Sequence, residues 1–216
     1  MKVKPDSEAH FPHRKEEILN SLSHGIGALL AIWGLFAMLA KNSGKTEFSI
    51  WGILIYSATL ITMLSISAVY HITKNPKIKR AFRVLDHINI YFLIAGTYTP
   101  VALITLINEN GWVIFFAVWS IAGLGTIFKL FYTGKYEFIS LLIYIAMGWL
   151  IVFDFENLLE QTSSMGIQLL FLGGAFYTLG IFFYAWERIP YNHLIWHIFV
   201  LAGAISHWFF IYFDVV

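Results

Sequence analysis

Long apolar stretches alternate with short polar breaks along the chain. Cutting at the polar residues predicts helices over residues 17–40, 48–72, 84–107, 111–133, 137–155, 165–186 and 192–213. Each stretch is about twenty residues, the length a helix needs to cross about 30 Å of hydrocarbon. A closed barrel would show alternating segments of about ten residues, so continuous apolar runs point to helices. Gly96 and Pro100 fall within the third stretch and predict a kink, whereas Pro190 before the seventh suits a helix start. The expected fold is an all-α membrane protein, a seven-transmembrane helix bundle forming one domain over residues 17–216 behind a polar tail at residues 1–16.

Composition agrees with this pattern. Of the 216 residues, 58% are hydrophobic and 12% charged, about half the charged fraction of a soluble domain. The net charge is +1 and the basic residues follow loops, which argues against a nucleic-acid partner. The chain has no cysteine, so a metal would have to be held by nitrogen and oxygen ligands. No cleavable signal peptide is expected, because a polar, charged segment precedes the first apolar stretch. Lysine and arginine are retained on the cytoplasmic side of a membrane. With the amino terminus inside, all but Lys41 and Lys45 of the 14 lysines and arginines fall at cytoplasmic ends. The amino terminus is therefore expected in the cytoplasm and the carboxyl end outside, in a multi-pass protein of the cell (plasma) membrane. Its expected surroundings and partners are membrane lipids.

Ionisable groups at membrane depth are costly unless they face a cavity or a partner, which makes each one a functional candidate. On this topology His71, Asp86, His87, His193 and His197 converge near the cytoplasmic edge, with His24 about two turns into the first helix. His193 and His197 are spaced i, i+4, which places both imidazoles on one helix face where they can chelate one ion. His71 is the best third ligand, giving a three-histidine site whose fourth tetrahedral position is open to water, as in catalytic zinc centres. Asp86 is placed to hold or deprotonate that water, and Ser67, one turn before His71, to bind the water or the developing oxyanion. His207 lies about 15 Å beyond His197 along the helix, too far for the same ion, and is read as an interhelical hydrogen-bond partner. His87 is read as facing a neighbouring helix or the interface. His10 and His13 belong to the polar tail. Glu17, Asn20, Ser23 and His24 form a polar seam with two readings, support or a gate for the metal site, and helix capping with interface solvation, of which the second is preferred. The run Lys74, Lys77, Lys79, Arg80, Arg83 reads as a topology determinant that also meets anionic lipid heads.

Taken together, Ser67-Ala-Val-Tyr-His71, Leu85-Asp86-His87, Ile94-Ala-Gly-Thr-Tyr-Thr-Pro100, His193-Leu-Ile-Trp-His197 and Asn20-Ser-Leu-Ser-His24-Gly span essentially the whole chain. The combination resembles the bacterial hemolysin III family, which is similar to the progestin and adiponectin receptors and, more distantly, to the alkaline ceramidases. The resemblance implies a zinc held by His71, His193 and His197, with a water held by Asp86 and Ser67 close by. Receptor signalling through a large soluble amino-terminal region is not expected.

Three functions remain open at this stage. The first is a zinc-dependent hydrolase acting on an amide or ester in a lipid-like substrate that enters from the bilayer. The second is membrane permeabilisation, the cytolysis that the family name carries. The third is a sensor or regulator of membrane state that uses zinc structurally. A retinal-type pump is not expected, since no lysine lies within the seventh stretch to form a Schiff base.

Overall fold

The computed structural model describes residues 14–186 and 188–216. The expected tail up to residue 13, with His10 and His13, lies outside the described residues. Among the described residues eight α-helices occur in chain order: α1 (Arg14–Lys41), α2 (Ser49–Ile72), α3 (Pro76–Pro100), α4 (Gly111–Tyr132), α5 (Glu137–Gly148), α6 (Phe155–Gln161), α7 (Ser164–Ala185) and α8 (Asn192–Phe210). Among the described residues there is no strand. With short π and 3-10 extensions they make seven helices long and apolar enough to cross a membrane, from Arg14–Lys41 to Asn192–Val215. The sequence-based segments are therefore all present, and the differences lie at their ends.

The first difference is at the amino terminus, where the chain is already helical at Arg14, the first described residue, so that α1 takes in the last residues of the expected tail. The second is in the third span, which begins at Pro76 rather than at residue 84. Asn75 caps it, its side-chain oxygen accepting from the backbone N–H of Lys77 and Ile78, and Pro76 occupies the first turn where its missing N–H is harmless. The basic run from Lys77 to Arg83 is thus helical, a charged overhang rather than a loop. At its other end this helix continues through Pro100 into a π-turn, Val101–Thr105, closed by the Leu106 N–H donating to the Val101 carbonyl at 2.9 Å. Pro190 does not start the last helix. It lies in the preceding turn, and Tyr191, in the left-handed region at φ 57°, leads into α8.

Helices α1 to α4 pack in sequence, α7 packs on α8, and α1 on α8 closes the ring. The third span is the central one, with 72% of its most apolar window buried against at most 44% in any other. A helix shielded from water must satisfy its polar side chains internally. Accordingly Asn89, Thr97 and Thr99 donate to the carbonyls of Leu85, Leu93 and Ala95 one turn back. Close approach of α4 is possible because Gly125 faces the buried Tyr91 ring, where a Cβ would lie 2.6 Å from ring carbons.

The fifth span is broken. After Gly148 the α-helix gives way to a 3-10 turn, Leu150–Asp154, before α6 resumes. Tyr98 of α3 satisfies the break from both sides, its hydroxyl donating to the Gly148 carbonyl at 2.8 Å and accepting from the Ile151 N–H at 2.9 Å. Backbone groups freed inside a membrane bundle need such partners.

Candidate metal centre

Alternating helix directions bring the start of α1, the end of α2, the first turns of α3 and α5, the end of α4 and the start of α8 to one end of the bundle. The chemistry-bearing side chains collect there. His71, His193 and His197 present ring nitrogens that all lie within 4.8 Å of one another, close enough to share one ion. Their ring centroids are 4.8 to 5.0 Å apart. Two helices and an i, i+4 pair thus supply the set expected from sequence.

The orientation of each ring follows from its second nitrogen. Nδ1 of His71 lies 3.3 Å from Oε2 of Glu17, and that same oxygen is salt-bridged to Nζ of Lys79 at 2.6 Å. A carboxylate only accepts, so Nδ1 carries the hydrogen and Nε2 keeps its lone pair. Nε2 is buried and has no protein partner among the described residues. A buried acceptor without a partner is costly, and a cation among the three rings would satisfy it. The hydroxyl of Ser23 donates to the Asn20 carbonyl at 2.9 Å, leaving its oxygen to accept from Nδ1 of His197 at 3.4 Å. This frees Nε2 of His197 as a ligand. Carboxylate or hydroxyl partners of this kind fix tautomer and ring direction in histidine metal sites.

The polar seam of α1 is therefore part of the site, contrary to its preferred reading as capping and interface solvation. Asn20 is fully buried, and His24 stacks on His197 with ring centroids 3.7 Å apart. Its pattern in the sequence was visible, but hydropathy does not say which way a helix face turns. Glu17→Gln should keep the fold and weaken metal binding about 10- to 100-fold, read by competition with a chromophoric chelator. Unchanged affinity would mean that the carboxylate does not support His71.

His193 and His197 line a cavity of about 150 Å³ together with Asp86, His87 and Glu137. Asp86 thus shares a chamber with two of the three histidines. Ser67 is buried on α2 one turn before His71, and among the described residues it makes no hydrogen bond to the trio. His87 does face a neighbouring helix, with Nδ1 3.4 Å from Oε2 of Glu137 at the start of α5. Oε2 of Glu137 also pairs with Nζ of Lys129 at 2.6 Å, and Oε1 accepts from the Gly134 N–H at 2.8 Å. Lys129, one of the cations counted at the cytoplasmic ends, is wholly buried. His207 pairs with the Leu170 carbonyl at 3.2 Å between α8 and α7, the interhelical role expected of it. The cavity wall includes Gly148, Trp149 and Thr178, which are also exposed on the outer face of the bundle where α5 breaks.

A sequence model described as "Haemolysin-III related" matches residues 12–208. The chain is 40% identical to Hemolysin-3 of Bacillus cereus over 203 residues, covering 94% of this chain and 93% of that protein. It is 39% identical to the Hemolysin-3 homolog of Bacillus subtilis (strain 168), covering 92% and 94% respectively. The human protein named Monocyte to macrophage differentiation factor is 29% identical over 219 residues, covering 96% of this chain and 88% of its own length.

Proposed function

The chain belongs to the haemolysin-III-related family and is a multi-pass membrane protein, and from that premise we propose that it is a zinc-dependent hydrolase of an amide or ester bond in a lipid-like substrate. One observation carries the reading: three buried or half-buried histidines converge on a common point at the edge of a chamber that also holds a carboxylate. An all-histidine donor set suits zinc, and three protein ligands leave a position for water or substrate. Bound there, zinc would polarise a carbonyl and lower the pKa of a coordinated water. His71, His193 and His197 would hold it.

The remaining chemistry falls to the chain's own groups. Asp86 accepts a proton from the attacking water as general base. Ser67 is assigned to orienting the water or the oxyanion from α2. The cavity is about 150 Å³, room for a scissile group and a short length of chain, comparable to a site that takes a benzene molecule. A whole lipid does not fit. The rest of the substrate stays in the bilayer, reaching the chamber past the exposed Gly148, Trp149 and Thr178. The site lies at the end of the bundle that carries most of the cations, which the positive-inside rule assigns to the cytoplasmic face of the plasma membrane.

The test is release of fatty acid from long-chain acyl amides and esters by the protein in lipid nanodiscs, followed by mass spectrometry. Turnover should disappear on chelation and return with added zinc. Absence of turnover on every acyl amide and ester tried, with metal bound, would count against an enzyme. Permeabilisation is the second reading, favoured by the names of the two bacterial relatives. Dye leakage from vesicles reconstituted with the protein, unaffected by chelation, would support it instead.

A further inference from the structure

The proposed reaction leaves the route of one proton unassigned. An amide nitrogen or alkoxy oxygen leaves only when protonated, and the proton that Asp86 takes from the attacking water has to be carried to it. We propose that His87, held by Glu137, is the residue that delivers this proton to the leaving group. The inference rests on the hydrolase reading given above.

Four observations converge on His87. It lines the same cavity as Asp86, His193 and His197. Its backbone is fixed, because the Tyr144 hydroxyl donates to the His87 carbonyl at 2.9 Å. Its Nδ1 sits 3.4 Å from Oε2 of Glu137, a long contact of the kind that tightens when a substrate is bound. Glu137 is immobilised by Lys129 and by the Gly134 N–H, one partner on each oxygen. A carboxylate so paired can only accept, so it assigns the His87 hydrogen to Nδ1 and leaves Nε2 as the reactive nitrogen. This is the kind of arrangement by which a carboxylate orients a histidine and supports its protonated form in acid–base catalysis.

The proton inventory then closes. A water O–H bond breaks, its proton passing to Asp86 while the oxygen bonds to the carbonyl carbon. The proton passes from Asp86 to Nε2 of His87 across the cavity that both line, and Glu137 stabilises the resulting imidazolium. The carbon–nitrogen or carbon–oxygen bond breaks with its electron pair on the leaving atom, which takes the proton from Nε2. Carboxylate and neutral imidazole are both restored, and the products are a carboxylic acid and an amine or alcohol. Here His87 is a catalytic residue and Glu137 a positioning residue. Lys129, wholly buried on α4, holds Glu137 in place through the contact at 2.6 Å.

The experiment compares two probes on the zinc-loaded protein in nanodiscs. One is the dodecanoyl ester of 4-nitrophenol, whose phenolate leaves without a proton. The other is the dodecanoyl amide of ethanolamine, whose nitrogen cannot. In His87→Gln the ratio of amide to phenyl-ester rates should fall about 10²- to 10⁴-fold, and Glu137→Gln should shift it in the same direction by less. A role confined to packing would lower both rates together and leave the ratio unchanged, overturning the inference. If wild type cleaves neither probe, the hydrolase reading fails with it, and that outcome is read without any variant. Histidine-selective ¹⁵N NMR of the wild type supplies a measurement independent of turnover and of variant folding. It should place the His87 proton on Nδ1, and a proton resident on Nε2 would overturn the assignment.

Discussion

Asp86→Asn should bind zinc as wild type does and lose about 10²- to 10⁴-fold in turnover, the usual contribution of a positioned general base. The two effects separate because Asp86 lies in the chamber but outside the group of three histidines. Asparagine is close in size and keeps an acceptor oxygen, so the helix and the cavity wall persist while the capacity to take a proton is lost. The measurement is initial rate on an acyl amide together with metal content of the same preparation. Equal rates in variant and wild type would remove Asp86 from the chemistry. Loss of metal along with rate would instead make it part of the metal-binding set.

The second large effect is expected from His193→Ala combined with His197→Ala. Two of three nitrogens disappear from one face of α8, and His71 alone cannot retain an ion against solvent. Metal content should fall to background and turnover with it. Stability should fall as well, because a ligand bound only by the native state at about a thousand times its Kd stabilises that state by about 4 kcal/mol. The thermal midpoint of wild type should rise with added zinc and that of the double variant should not respond. A variant that still responds would place the metal elsewhere.

Much of this architecture is legible in the sequence, for physical reasons. Twenty-residue apolar runs admit one interpretation in a bilayer, and the depth of each histidine follows once the spans are numbered. The i, i+4 spacing of His193 and His197 needs only helix geometry, and His71 follows from shared depth. What hydropathy leaves out is helix rotation and pairing across long sequence separations. Glu17 meets Lys79 and His71 only because α1, α2 and α3 turn particular faces inward. Lys129 reads as a cation at the cytoplasmic end of the fourth span, yet the bend between α4 and α5 folds Glu137 back onto it, and the lysine is wholly buried beside a half-buried carboxylate. His87 acquires its partner in the same way. The start of α3 is hidden because a run of charges on an overhanging helix looks like a loop, although the Asn75-Pro76 cap signals it. The break in the fifth span carries little signal beyond Gly148, since its stabilising partner, Tyr98, comes from a different helix.

Whether His71, His193 and His197 hold zinc is read by elemental mass spectrometry of protein purified in detergent without chelators. About one zinc per chain in wild type, and none in a folded His193→Ala, His197→Ala double variant, is the expected result. Wild type carrying no bound metal, or a double variant retaining it, would contradict the assignment.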